Sequence, residues 1–171
     1  GEGTRLVLTR AGRPPPRPAL SWFPTTTDGR VYAYSDQLPM DELSDAQVAF
    51  AARHYVGSQK LTAAEIAQLR AVNPRFALLH YRLGTASGPL PYISGGDWGS
   101  DWAGVTSHED WFMHNLVGGA RLLQASNQWY LHDVTNPGFQ SYWLRSTIVD
   151  MRATGAQGTF ADSFTAGIGG L

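Results

Sequence analysis

The strongest constraint on this chain is a run of capped helices alternating with apolar strands that begins at Leu43. Ser44 stands where an N-cap belongs, ahead of "DAQVAFAARH", with Val48, Phe50 and Ala51 supplying the apolar positions. "YVGSQ" then reads as a short strand. Thr62 and Glu65 have the spacing of a capping box for "AAEIAQLRAVNP", in which Ile66, Leu69 and Val72 recur at helical intervals before Asn73-Pro74 ends the run. "RFALLHYRL" follows as an unbroken apolar stretch, the pattern of a parallel strand covered on both faces.

The alternation resumes after a long Gly-, Ser- and Trp-rich segment, "GTASGPLPYISGGDWGSDWAGVTSHEDWFMHN". "QWYLHDV" reads as the next strand. The following helix is "TNPGFQSYWLRSTIVDMRATG", with Phe139, Tyr142, Trp143, Ile148 and Met151 as its stripe and Gly155 as its stop, and "GTFADSF" closes the series as a strand. Strands alternating with helices predict crossover connections and a parallel sheet. A doubly wound open sheet and a (β/α)8 TIM barrel both satisfy that order. Neither GxGxxG nor a Walker-type phosphate loop occurs, which weakens the dinucleotide-binding open sheet and leaves an α/β barrel-like fold of about four β/α units. The division expected is 1–42, a Pro/Arg-rich extended lead with a hairpin-like decoration at Asp28-Gly29, and 43–171, the barrel portion.

The 171 residues carry a formal charge of -1, so no basic surface argues for nucleic acid or an anionic membrane as partner. No apolar segment reaches the roughly 20 residues of a membrane span, and no apolar signal core opens the chain; if the protein is exported, its leader is already removed. With no cysteine there is neither a disulfide framework nor a thiolate metal site. Only Lys60 among thirteen basic residues is lysine, a bias from which no role follows.

Six Trp, seven Tyr and seven Phe are many for this length, and flat aromatic faces in loops suit sugar rings. In a barrel the strand C-termini and the loops beyond them carry the chemistry. Those positions hold His80, Tyr81 and Arg82, then His132 and Asp133, then Asp162. Asp133 is equally well placed to cap the following helix, and His80 and His132 could be cleft-floor hydrogen-bonding groups or structural ones. Trp98, Trp102 and Trp111 either pack the long loop on itself or offer stacking platforms for sugars. "HEDWFMH" lacks the HExxH spacing of a zinc site and no GxSxG elbow occurs, so neither a metal, a cofactor nor a serine nucleophile is expected. Paired carboxylates are what glycoside hydrolysis uses, one as acid and one as nucleophile or base.

The segment "WYLHDVTNPGFQSYWLRSTIVDMRATGAQGTFADSF" resembles a family of glycoside hydrolases with a TIM barrel, in which a strand ending Asp-Val-Thr-Asn-Pro leads through an aromatic-rich helix to a strand ending in Asp-Ser or Asp-Asn. The run from Leu43 to Leu83 looks like the first barrel units of the same group. The resemblance implies hydrolysis of a polysaccharide or oligosaccharide, with Asp162 at the nucleophile position of the fourth strand and Asp133 touching substrate. The absence of cysteine leaves secreted and cytosolic settings both open, and an extracellular or cell-surface one is favoured. One departure is Gln157, where the family pattern has an acidic residue. A full barrel has about 250 residues and eight strands. Four units therefore need the rest of the barrel or a second copy to cover the open edge, and the acid/base would come from a later strand. The alternative is a carbohydrate-binding barrel remnant without catalysis.

Overall fold

The computed structural model describes residues 31–89, 102–124 and 128–163. Trp98 and the Asp28-Gly29 turn lie outside them. The elements run β1 (Tyr34–Gln37), α1 (Asp45–His54), β2 (Gly57–Gln59), α2 (Ala63–Val72), β3 (Ala77–Leu83), β4 (Ala86–Ser87), α3 (Trp102–Val105), a 3-10 turn (Glu109–Trp111), β5 (Leu123–Gln124), β6 (Trp129–Leu131), α4 (Pro137–Thr154) and β7 (Gly158–Asp162).

Local chemistry sets the helix ends. Ser44 and Gln47 close a capping box on α1, and Thr62 and Glu65 close one on α2, the Glu65 carboxylate accepting from the Thr62 amide at 2.7 Å. Asn136, not Asp133, caps α4: its Oδ1 accepts from the Gly138 and Phe139 amides at 2.8 and 3.2 Å, with Pro137 preset in the first turn. Gly155 ends that helix at φ 69°, a conformation open to glycine at little cost.

β1, β2, β3 and β7 form one parallel sheet in that order. The chain is thus a mixed α/β protein whose four parallel strands are linked through helices. Gly57 permits the close approach of β2 to β3, since a Cβ there would collide with the Ala77 carbonyl.

Two strand assignments differ from expectation. "QWYLHDV" is not the third parallel strand: only Trp129–Leu131 is extended, and it runs antiparallel between β4 and β5 in a separate small sheet. The parallel sheet instead gains Tyr34–Gln37 from the segment expected to be decoration. An apolar triplet such as Trp-Tyr-Leu satisfies either kind of sheet, and the β4 segment immediately beyond β3 captures it. Residues 84–136 are consequently an insertion within the connection from β3 to α4.

Alternation along β3 assigns the faces. Leu78 joins the core made with Val48, Ala52, Ile66 and Leu69 of α1 and α2. His80 and Arg82 point the same way, toward α4. Tyr81 and Leu83 take the opposite, inner face, where Trp129 packs against them. Cross-strand register puts Phe160 beside Tyr81 and Asp162 beside Leu83 on that inner face.

Candidate active site

The C-terminal ends of the four parallel strands bring one polar cluster together on the inner face. Tyr81 Oη donates to Asp162 Oδ2 at 2.6 Å, and the Ser163 amide donates to Asp162 Oδ1 at 2.6 Å. Both carboxylate oxygens are therefore oriented by donors. Burial first, then the hydrogen bond to Asp162 and the charges of Asp162 and Asp36, push the Tyr81 hydroxyl well above its usual range, so it stays protonated and donates.

The cluster continues across the sheet. Lys60 Nζ lies 4.6 Å from the centre of the Tyr81 ring and 3.4 Å from Asp36 Oδ2, and Gln59 Nε2 donates to Asp36 Oδ1. Register slips by one residue between Ser35 and Gln37, which makes Asp36 the unpaired residue of a bulge, a device that re-aims a side chain. Lys60 and Ser163, the residues immediately past β2 and β7, hold φ 56° and 60°. Non-glycine residues in that left-handed region cost free energy and gather at functional sites. The Ser163 turn is clamped by the two residues that follow β3: Gly84 N donates to Asp162 O at 2.8 Å and Thr85 Oγ1 to Ser163 O at 2.6 Å.

Of the sequence-predicted residues, Asp162 and Tyr81 meet here. His80 and Arg82 do not, because they lie on the helix-facing side of β3. Arg82 Nη1 bonds Asp150 Oδ2 of α4 at 2.7 Å, with His80 Nε2 at 3.7 Å from the same oxygen. They tie helix to sheet. Asp133 forms a turn of its own, its Oδ1 accepting from Thr135 N at 2.9 Å and Thr135 Oγ1 at 2.6 Å, and these bonds hold its carboxyl below the usual range. No contact among the described residues links it to Asp162.

The remaining predicted residues belong to the insertion. Trp111 is 7% exposed and stacks on His108 with centroids 3.7 Å apart, while Trp102 stacks on Tyr130 at 5.4 Å. Both sit in an aromatic core with Phe112 and Phe139. His132, 3% exposed, shares 3.3 Å with the Trp111 carbonyl through Nδ1 and 2.8 Å with Ser87 Oγ through Nε2. A carbonyl only accepts, so the network assigns the proton to Nδ1 and makes Ser87 the donor to Nε2. Burial, the largest effect, lowers the His132 pKa to about 4, with the Trp111 carbonyl opposing and the charges of Arg121 and Arg82 assisting. The cavity beside this pair is about 10 Å³, room for at most a water, so the Ser-His contact is an internal one.

The span from residue 70 to residue 169, which contains β3, the insertion, α4 and β7, matches the model of hypothetical glycosyl hydrolase family 15. The chain belongs to that family. No curated protein matches it. Within the glycosyl hydrolase match lie Tyr81 and Asp162, whereas Asp36, Gln59 and Lys60 precede it. Gln157, the departure from the expected acidic residue, stands at the opposite end of β7 from Asp162, where its Oε1 accepts from Leu78 N at 2.8 Å and begins the β3–β7 pairing. Among the described residues, no group of three or more His, Asp or Glu is placed to hold a metal, and no helix is long and apolar enough to cross a membrane.

Sequence reasoning missed Asp36, Gln59 and Lys60. Asp36 hid in an unrecognised strand, and the signal for Lys60 was its being the chain's single lysine, standing directly after a short strand.

Proposed function

We propose that the protein is a glycoside hydrolase acting on a polysaccharide or oligosaccharide, with Asp162 as nucleophile or base. The observation that carries this is Asp162 itself: a carboxylate at the C-terminal end of a parallel strand, with a donor on each oxygen and an exposed bulged carboxylate, Asp36, in the same cluster. In glycosidases a carboxylate attacks the anomeric carbon or activates the water that does. Tyr81 orients it. In this reading the four strands are part of a TIM barrel, further barrel units or a second copy pair with the β7 edge that no described strand occupies, and they also cover the exposed Leu144, Ile148 and Val149 of α4. The acid then comes from outside the described strands, and the substrate is met outside the cell or at its surface.

Release of reducing ends from a polysaccharide panel tests the assignment. Asp162→Asn should lower turnover by about 10²- to 10⁴-fold with an unchanged thermal midpoint. Turnover that survives the substitution removes Asp162 from the chemistry. A carbohydrate-binding protein without catalysis is the second reading, favoured by one observation: Asp133, the expected second carboxylate, is engaged in its own turn. Binding of glycans without hydrolysis by the unsubstituted protein would select it.

A further inference from the structure

We propose that Asp36, Gln59 and Lys60 form a hydroxyl-binding subsite that takes an uncharged sugar ring beside Asp162. The inference rests on the glycosidase reading and adds to it the chemical class of the ring and the residues that select it.

Three observations place the subsite. The bulge at Asp36 turns its carboxylate to the inner face, where it meets Gln59 Nε2 and Lys60 Nζ while its own side chain remains 72% exposed. Lys60 is held off the strand in the left-handed region, 18% exposed, between that carboxylate and the Tyr81 ring. Gln59, almost fully buried, has an Oε1 with no hydrogen-bond partner among the described residues, so the amide is fixed through its nitrogen alone.

The group contains a charged acceptor next to a charged donor. A sugar diol both donates and accepts at each hydroxyl, so one hydroxyl can give its proton to Asp36 while its neighbour accepts from the Lys60 ammonium. A compact ammonium suits this position better than the guanidinium used at every other basic position of the chain. It can lie on a ring face, pair with one oxygen and keep a donor for the ligand, whereas a guanidinium would fork onto the carboxylate and occupy both oxygens. The charge balance names the class. Asp36 neutralises Lys60, leaving Asp162 as the unbalanced charge of the cluster, and a uronate or sulfated ring would bring a second anion against it. Arg82 does not offset that charge, since it lies on the opposite face with Asp150.

The experiment measures the preference between neutral and acidic probes by titration calorimetry with Asp162 intact, over times too short for turnover. The effect of each subsite substitution on neutral-sugar binding is read in an Asp162→Asn background, which stops turnover, and KM and kcat with Asp162 intact. In Asp162→Asn itself the bias against the galacturonate should shrink. Cellopentaose, mannopentaose and pentagalacturonate serve as probes. At least one neutral oligosaccharide should bind more tightly than the galacturonate. Lys60→Met and Asp36→Asn should each weaken that binding about tenfold and raise KM correspondingly, while kcat changes far less. Asp36→Asn, which frees the lysine charge, should at the same time improve galacturonate binding. Thermal midpoints of both variants verify folding, and the two independent positions guard against the loss of either. Tighter binding of the galacturonate by the parent protein, no effect of either substitution, a fall in kcat at constant KM, or no binding of any probe each overturns the subsite. The two readings separate cleanly. Neutral-sugar binding lost in Lys60→Met without hydrolysis by the parent keeps the subsite and removes the enzyme. Hydrolysis indifferent to both substitutions keeps the enzyme and removes the subsite.

Discussion

The inner face of the parallel sheet and the insertion between β3 and α4 use the same kinds of residue to opposite ends. Each combines aromatic rings with histidine or lysine, hydroxyls and carboxylates. In the insertion the rings close on one another, and the polar atoms of His132 and Ser87 are consumed inside a space of about 10 Å³. On the sheet face the rings of Tyr81 and Phe160 lie stacked 6.2 Å apart, and of the carboxylates in that cluster Asp36 is exposed and Asp162 half-buried. A buried polar network that is satisfied specifies a fold, whereas polar groups left oriented and reachable specify a ligand. Residue identity alone does not separate these outcomes; burial does.

The largest way to break the contrast is Trp111→Ala. Removing a buried ring that packs on His108, Phe139 and Tyr142 should cost about 3–5 kcal/mol, read as a drop in the urea midpoint. A loss of glycan binding with unchanged stability would instead make Trp111 a sugar platform.

A pH series tests the same core. His132 is neutral in the folded protein, with its pKa lowered from 6.5 to about 4, and regains the ordinary value when unfolded. Between those values the unfolded chain holds more protons than the folded one, so stability falls as pH drops from about 6.5 to 4. The full difference corresponds to roughly 3 kcal/mol. Below pH 4 this contribution is gone. Urea melts at pH 7, 5 and 4 should show the decline, and His132→Leu should flatten it.

How much was legible follows from these same residues. The capping signals at Ser44, Thr62 and Gly155 and the apolar run of β3 are local, and local chemistry carries over into structure. The partner of a strand is not local. Trp129–Leu131 and Tyr34–Gln37 are both short, and only the tertiary register decided that the second joins the parallel sheet and the first does not. The same limit governed the site. "HYR" reads as three consecutive functional residues, yet a strand's two-residue period sends Tyr81 to one face and His80 and Arg82 to the other. Asp36 needed a bulge to reach the cluster, and no sequence pattern announces one.

Tyr81→Phe sharpens the contrast from the other side. It keeps the ring that packs with Leu83 and Trp129 and removes only the donor to Asp162. Turnover should fall about tenfold, equivalent to about 1.4 kcal/mol in the barrier, with a small change in melting temperature. An equal loss in stability and none in turnover would make the hydroxyl a packing group.

The smallest expected effect is the most discriminating between the two carboxylates that share a strand-end position in sequence. Asp133 accepts from Thr135 through a single oxygen, Oδ1, and asparagine presents an oxygen in the same place. Asp133→Asn therefore preserves the turn ahead of α4 and should leave both turnover and the thermal midpoint close to those of the parent. The identical substitution at Asp162 removes the charge on which nucleophilic or base chemistry depends. Measured side by side on one polysaccharide, the pair isolates charge from shape. If Asp133→Asn abolishes turnover as Asp162→Asn does, its turn holds a catalytic group and the site must extend from the sheet face to the start of α4.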